Sequence, residues 1–390
     1  MSEHDPIRFV TDLGAKLAST SRHVCTFLGA GVARACRLPD IAQLQDRVLK
    51  TLQGEHRGLF ARQLEGRNIE QALSRLRSLA GLLTGNDTLY GLTADAAVNL
   101  DRAVCRAIVT ELDIQAADLT PIFQFGAWVA RANYRTPLEL FTINYDLLLE
   151  TALDRLRVPY FDGFIGTLKA RFHTDLVEGT TTADQPSLPA FFVRLWKLHG
   201  SIHWAWDDDQ NIVRMGNPVE QDRVAAIYPS DTKYEESRRV PFVVLQDRFR
   251  RSLNQPETLI LVSGYSFGDQ HLNELLFDAA THRARSEFVV FCFSAIPESL
   301  IKRALTTPNL QVVSPTEAIL GGTRANWKSP DSPSPELWEN NKLALVDFRH
   351  LAAYLGRSSS SEPERESVLR ELLSQALADK SAAKPGGNDA

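Results

Sequence analysis

Four short segments carry residue types that could do chemistry together. In FLGAGVARACRLPD (27–40), Gly29, Ala30 and Gly31 sit between an apolar run and a helical pattern. Glycines at such a turn let backbone approach a pyrophosphate, and the helix start offers unpaired N–H groups and the positive end of its dipole. The third glycine of GxGxxG is missing, so a tight structural turn has the same signature. In FTINYD, Thr142, Asn144 and Asp146 bring a hydroxyl, an amide and a carboxylate to a strand-to-helix junction, where a helix cap would use the same residue types. KLHGSIHW carries His199, whose imidazole titrates near neutral pH and suits proton transfer, whereas His203 falls in an alternating stretch and reads as a strand residue. In SGYSFGDQHLNE, Gly264, Tyr265, Ser266 and Gly268 follow another apolar run. Backbone N–H groups and the Ser266 hydroxyl there could reach a ribose or phosphate, while Asp269 could cap the next helix. Each segment alone has a structural reading; four of them at strand ends describe a ligand crevice.

The elements that must position them alternate. VCTFLGAG, PLELFTIN, FFVRLWKLHG, TLILVSG and SEFVVFCFS read as buried strands. IAQLQDRVLKTL, DLLLETALDRL with leucines at 147, 148, 149, 153 and 156, and DQHLNELLFDAATHRA read as helices. This is the pattern of an α/β fold with a Rossmann-like, doubly wound parallel sheet and right-handed crossovers, whose ligands bind outside the carboxyl ends of the strands. SIHWAW and NIVRM, joined by an acidic turn, read as a hairpin. The helical stretch from Asn68 to Ala132 reads as an insertion, bounded at about 60–135, within a catalytic domain over 1–300. Residues 301–356 extend that core, with KSPDSPSP from Lys328 as a loop. A linker begins at Arg357, and a helix with an apolar stripe (Val368, Leu369, Leu372, Leu373, Ala376, Leu377) and a polar tail complete 357–390. That stripe fits either docking to a partner or packing on the chain's own core.

Composition excludes several function classes. Of 390 residues, 44% are hydrophobic and 23% charged, which is globular, and the net charge of −5 argues against a dedicated nucleic-acid binder. Arg238, Arg239, Arg248, Arg250 and Arg251 are locally basic and read as a solvated helix face, so direct nucleic-acid binding is not expected. Cys25, Cys36, Cys105 and Cys292 form no CxxC pair, which argues against a zinc ribbon and for a reducing compartment. No apolar run reaches the roughly 20 residues of a membrane span, and the N-terminus has no signal-peptide pattern, so a cytoplasmic protein is expected.

The four segments, in their order, resemble the sirtuin superfamily. FLGAGVARACRLPD is similar to its GAGxSxxSGIPDFR loop at Gly29, Ala30, Gly31, Pro39 and Asp40. FTINYD is similar to its TQNID motif at Thr142, Asn144 and Asp146, and KLHGS places His199 at the position of the catalytic histidine. Ala33, Cys36, Arg37 and Ala42 depart from the Ser, Ser, Gly and Arg of the deacylases. SIHWAWDDDQNIVRM, which follows His199, holds none of their zinc cysteines, so no metal is implied. TINYDLLLETAL, KLHGSIHW and GYSFGDQHLN resemble the prokaryotic sirtuin-like branch of antiviral defence. That resemblance implies an NAD hydrolase that depletes NAD in infected cells, working as a homo-oligomer and paired with a HerA-type ATPase. It implies that Asn144 orients water or ribose hydroxyls, that His199 accepts a proton and that Asp146 binds the nicotinamide amide. Gly29, Ala30, Gly31 and Val32 would cradle the pyrophosphate, Asp40 would shape the nicotinamide pocket, and Ser266 would lie near the adenosine ribose. Two alternatives stand beside it: an NAD or ADP-ribose binding module without turnover, and an NAD-dependent protein deacylase, which the missing cysteines disfavour.

Overall fold

The computed structural model describes residues 3–179, 192–209, 211–216, 240–331, 334–357 and 374. The expected C-terminal helix with its apolar stripe, most of the linker before it, and Arg238 and Arg239 lie outside the described residues.

A central sheet is built from β1 (Val24–Leu28), β2 (Glu139–Thr142), β3 (Tyr160–Phe161), β6 (Val193–Lys197), β9 (Leu259–Ser263), β10 (Glu287–Phe291), β11 (Leu310–Val313), β12 (Glu317–Leu320) and β13 (Thr323–Asn326). Its order is β13-β12-β11-β10-β9-β1-β2-β6-β3, and every pairing from β11 through to β3 is parallel. Parallel strands are buried on both faces, which is why β1 and β9 are largely apolar runs with every residue buried; β6 is buried throughout as well, although it carries Arg194 and Lys197. The strand period of two sends Val24 and Leu28 to one core and Cys25 and Phe27 to the other; Leu259 and Leu261 part from Ile260 and Val262 in the same way. The first core is covered by α1 (Pro6–Ala18), α7 (Thr120–Arg131), α8 (Leu148–Arg155) and α13 (Phe348–Gly356). The second is covered by α10 (Phe242–Leu253), α11 (Gln270–His282) and α12 (Glu298–Thr306).

The expected Rossmann-like α/β architecture is therefore what the chain adopts. Beyond Ser294, where sequence patterning weakens, the sheet continues through β11 and turns antiparallel at β12 and β13. The helical stretch divides. α3 (Ile41–Thr51), α4 (Glu55–Leu64), α5 (Ile69–Leu82) and α6 (Ala94–Glu111) share a third core around Val48, Phe60, Leu73, Leu76 and Val104, whereas α7 buries Ile122 and Phe123 against the sheet. The hairpin forms as β7 (Trp204–Trp206) and β8 (Ile212–Met215), within a separate antiparallel sheet with β4 (Phe164–Ile165) and β5 (Lys169–Phe172). Among the described residues no helix is long and apolar enough to cross a membrane.

The polar anchor of the sheet is Glu139, 1% exposed at the start of β2. Its carboxylate accepts two hydrogen bonds from Arg248, at 2.8 and 2.5 Å, one from Trp196 Nε1 at 2.7 Å and one from Ser252 Oγ at 3.2 Å. His23 Nε2 lies 3.4 Å from it. Arg248 thus turns inward, contrary to a solvated face, while Arg250 and Arg251 pair with Asp247. Burial, the largest single influence, would raise the Glu139 pKa; the charges of Arg248 and His23, with the hydrogen bonds from Arg248 and Trp196, together outweigh it and hold the carboxyl below its ordinary range. Burial also lowers the His23 pKa, with Glu139 opposing.

Both shifts are downward, so both contributions to stability are present above the groups' unfolded pKa values and are lost as pH falls through their folded ones. Arg248→Leu leaves a buried carboxylate without its partner and is expected to cost about 3–5 kcal/mol at neutral pH. In that variant Glu139 can escape the penalty by protonating, so the gap to wild type in denaturant titrations should narrow as pH falls. A gap that widens with acidification contradicts this assignment.

Candidate functional site

Chain order reverses at β1: the next strand, β2, lies on one side of it and the later strand β9 on the other. Ligand crevices in such sheets open outside the carboxyl ends of the strands at this switch. Here the glycine loop that follows β1 meets the turn that follows β9. Gly29 N–H donates to Ser263 O at 3.0 Å and Gly31 N–H to Gly264 O at 2.9 Å. A Cβ on Gly31 would fall 2.6 Å from Gly264 Cα, and one on Gly264 would fall 2.7 Å from Val32 N. Gly264 also has φ +68°, in the left-handed region.

These glycines therefore let two backbones touch. Gly29 and Gly31 place their N–H groups on Ser263 O and Gly264 O, and Val32 N–H is held by Gly29 O at 3.0 Å. Asp40 is likewise committed elsewhere: it caps α3 in a box with Gln43, and its carboxylate lies 3.4 Å from Arg34. Thr142 is buried and donates its hydroxyl to Leu28 O at 3.0 Å. None of Gly29, Gly31, Val32, Asp40, Thr142 or Gly264 lies on the wall of the large cavity that opens at this edge.

That cavity, about 760 Å³, is lined by Ala30, Asn144, Asp146, His199, Tyr265 and Ser266 of the expected set. They come from the ends of four adjacent parallel strands, β9, β1, β2 and β6. Asn144 is fixed by two bonds: its N–H donates to Thr142 Oγ1 and its Nδ2 to Gly29 O, each at 3.0 Å. The amide is thereby tied to the glycine loop, with its carbonyl oxygen left to act as an acceptor. Asp146 accepts from Leu148 N–H at 3.1 Å, an i to i+2 bond that closes the turn before α8, and it lines the cavity at once. Burial pushes its pKa up, against the opposing charge of Lys197, whose Nζ bonds the Asp146 carbonyl oxygen and sits 2.9 Å from Glu150.

His199 Nε2 lies 3.3 Å from Asp269 Oδ2, an ion pair if the ring is protonated. Asp269 meanwhile caps α11 through His271 and Leu272 N–H, and Tyr265 donates its hydroxyl to Asp269 O at 3.1 Å and Asn273 Oδ1 at 2.7 Å. The cap is visible in the sequence; the histidine contact spans 70 positions and is not. The helical insertion supplies another wall through Asn68, Ile69, Glu70 and Gln71, and Tyr145 donates to Glu70 Oε1 at 2.9 Å. Sequence patterning offered no sign of this, because Glu70 sits in the first turn of α5 like any acidic helix-starting residue.

Four acidic side chains, Glu70, Asp146, Asp269 and Glu274, line the cavity, and among the described residues no lysine or arginine does. Such a site favours positive charge on a ligand or transition state. Among the described residues no cluster of three histidine, cysteine or acidic side chains is arranged to hold a metal, and the four cysteines are buried and in no disulfide.

Compared with known proteins, residues 138–313 match the family model described as a SIR2-like domain. That span, just under half of the chain, runs from β2 to β11 and carries Asn144, His199 and Gly264. It supports a sirtuin-like fold and a function related to NAD. The glycine loop lies outside it, yet β1 is hydrogen-bonded between β2 and β9, both of which lie within it. No curated protein matches the chain.

Gly264→Ala should separate the loop from the turn. We expect a loss of at least about 2 kcal/mol, read by denaturant unfolding, because the new Cβ meets backbone on both sides and the φ is strained. Gly58→Ala, at a helical glycine whose Cβ would meet nothing, serves as the control and should be neutral to stabilising.

Proposed function

We propose that this protein is an NAD hydrolase, cleaving NAD with water to nicotinamide, ADP-ribose and a proton. The observation that carries the reading is the convergence of Asn144, Asp146 and the His199–Asp269 pair on one acidic cavity at the switch point of a SIR2-like sheet. Cleavage of the nicotinamide–ribose bond generates positive charge at the ribose carbon, while nicotinamide departs from a pyridinium as a neutral base. No general acid is then needed, which distinguishes the reaction from ordinary glycoside hydrolysis. A wall of carboxylates suits both the cationic ring and the oxocarbenium-like centre.

In this scheme Asn144, held on Gly29 O, presents its side-chain oxygen to water or a ribose hydroxyl. His199 accepts the proton released when water attacks, with Asp269 orienting the ring and stabilising the imidazolium. Asp146 receives the nicotinamide amide; its raised pKa lets it keep a proton, and so donate, to higher pH than an ordinary aspartate. Ala30, Tyr265 and Ser266 line the portion left for the adenosine side, and Gly29, Gly31 and Val32 act by holding Ala30 in place. NAD is a substrate here and no zinc is called for. Activity in antiphage defence by NAD depletion, a homo-oligomeric assembly, control by a HerA-type ATPase and a cytoplasmic site of action belong to the same proposal and rest on the sequence resemblance. A deacylase would use the same crevice; the want of a four-cysteine zinc site in the sequence weighs against it.

Asn144→Ala and His199→Ala are each expected to lower nicotinamide release by about 10²–10⁴-fold. Asp269→Asn should lower it less, because the ring keeps a hydrogen-bond partner. Chromatographic assay of the purified variants, with circular dichroism to verify folding, checks this; undiminished release in folded Asn144→Ala or His199→Ala overturns the assignment.

A further inference from the structure

The helical insertion carries a second hollow, about 480 Å³, that the NAD reading leaves unused. One face of α5 lines it with Gln71, Ser74, Arg75 and Ser78, at the 3–4 residue spacing that puts side chains in a row; Arg67 and Tyr90 flank them. Gln71 also lines the large cavity, so the two share a wall.

Charge and hydrogen bonding point one way. Two guanidiniums line the hollow, and among the described residues no carboxylate does. Arg67 is anchored through Nη1 to Glu65 O at 2.9 Å. The Arg75 guanidinium lies 3.9 Å from the centre of the Tyr90 ring, a cation–π contact that fixes its plane. Its Nε is buried with no hydrogen-bond partner among the described residues. The same holds for the hydroxyl of Ser74, a residue only 3% exposed. Buried donors are rarely left unpaired because the lost solvation is costly, so two on one wall mark a place built for acceptors from outside the chain. An acceptor-rich anion between two arginines is most simply a phosphate, which guanidinium geometry matches. The volume lies within the range of small-molecule sites, and the Tyr90 ring is 58% exposed, leaving aromatic surface for a planar group to stack on.

We propose that this hollow is a separate binding site for a phosphate-bearing ligand of mononucleotide size, with Arg67, Arg75 and Ser74 on the phosphate and Tyr90 against the base. The site is independent of what the large cavity does: none of these four residues lines it.

The test is calorimetric titration of the full-length protein with inorganic pyrophosphate and with ADP. Wild-type protein should bind pyrophosphate saturably and more weakly as salt rises, and should bind ADP more tightly, with Tyr90→Ala removing that advantage. Arg75→Gln should weaken pyrophosphate binding by about tenfold or more, and Ser74→Ala by less. Asn144→Ala should bind as wild type does. If Arg75→Gln does not fold, Arg67→Gln, at the edge of the hollow, carries the same expectation. Lack of saturable pyrophosphate binding at millimolar concentration overturns the proposal, as does binding that survives loss of the arginine but disappears in Asn144→Ala, which would put the anion in the large cavity. Equal affinity for pyrophosphate and ADP overturns the nucleotide assignment.

Discussion

The site depends on the close approach of two backbones. Gly31 and Gly264 lie so near that neither tolerates a Cβ, and the Gly31 N–H to Gly264 O bond joins the end of β1 to the end of β9. Because those strands meet where chain order reverses, this contact fixes the place of the neighbouring residues Ala30 and Tyr265, which do line the cavity. Asn144 then bonds Gly29 O, so the amide from β2 takes its position from the same loop. One steric constraint is thus passed, through one hydrogen bond, to the group with most to do in the proposed chemistry.

Side chains around the cavity serve two purposes at once. Asp146 holds Leu148 N–H in the turn before α8 and lines the cavity; Asp269 caps α11 and contacts His199; Glu70 opens α5 and receives the Tyr145 hydroxyl. Groups held by caps have little freedom left, which is the condition for preorganised electrostatics. Away from the cavity the buried charge is compensated differently: Glu139 has Arg248, Trp196 and Ser252 and exists to join β2 to α10 and β6. The contrast separates carboxylates that hold the fold from those that face a ligand.

Much of this was legible in the sequence. The strand–helix alternation gave the parallel sheet, and the positions of Asn144, His199 and Ser266 at strand ends anticipated that they would share one cavity, because period-two burial and the switch-point rule act on pattern alone. What was not legible was direction and distance. Gly29 and Gly31 carry the signature of a phosphate loop, but a glycine needed for a ligand and a glycine needed for another glycine look the same until Gly264 is seen beside them. Asp40 matched a family motif yet is satisfied by Gln43 three residues on. Helical periodicity could not tell α7, which covers the sheet, from α3 to α6, which have their own core, since both kinds bury one apolar stripe. The Asp269 contact with His199 and the cluster behind α5 join residues by tertiary packing, for which spacing along the chain gives no signal.

The measurement that bears most directly on the account is the stoichiometry of products from NAD. Purified protein, alone and with a HerA-type ATPase, would be incubated with NAD in the absence of any acylated peptide, and nicotinamide and ADP-ribose quantified chromatographically. Equal yields of the two are the predicted result. Nicotinamide release that requires an acylated peptide, or NAD bound without being consumed under both conditions, would contradict it.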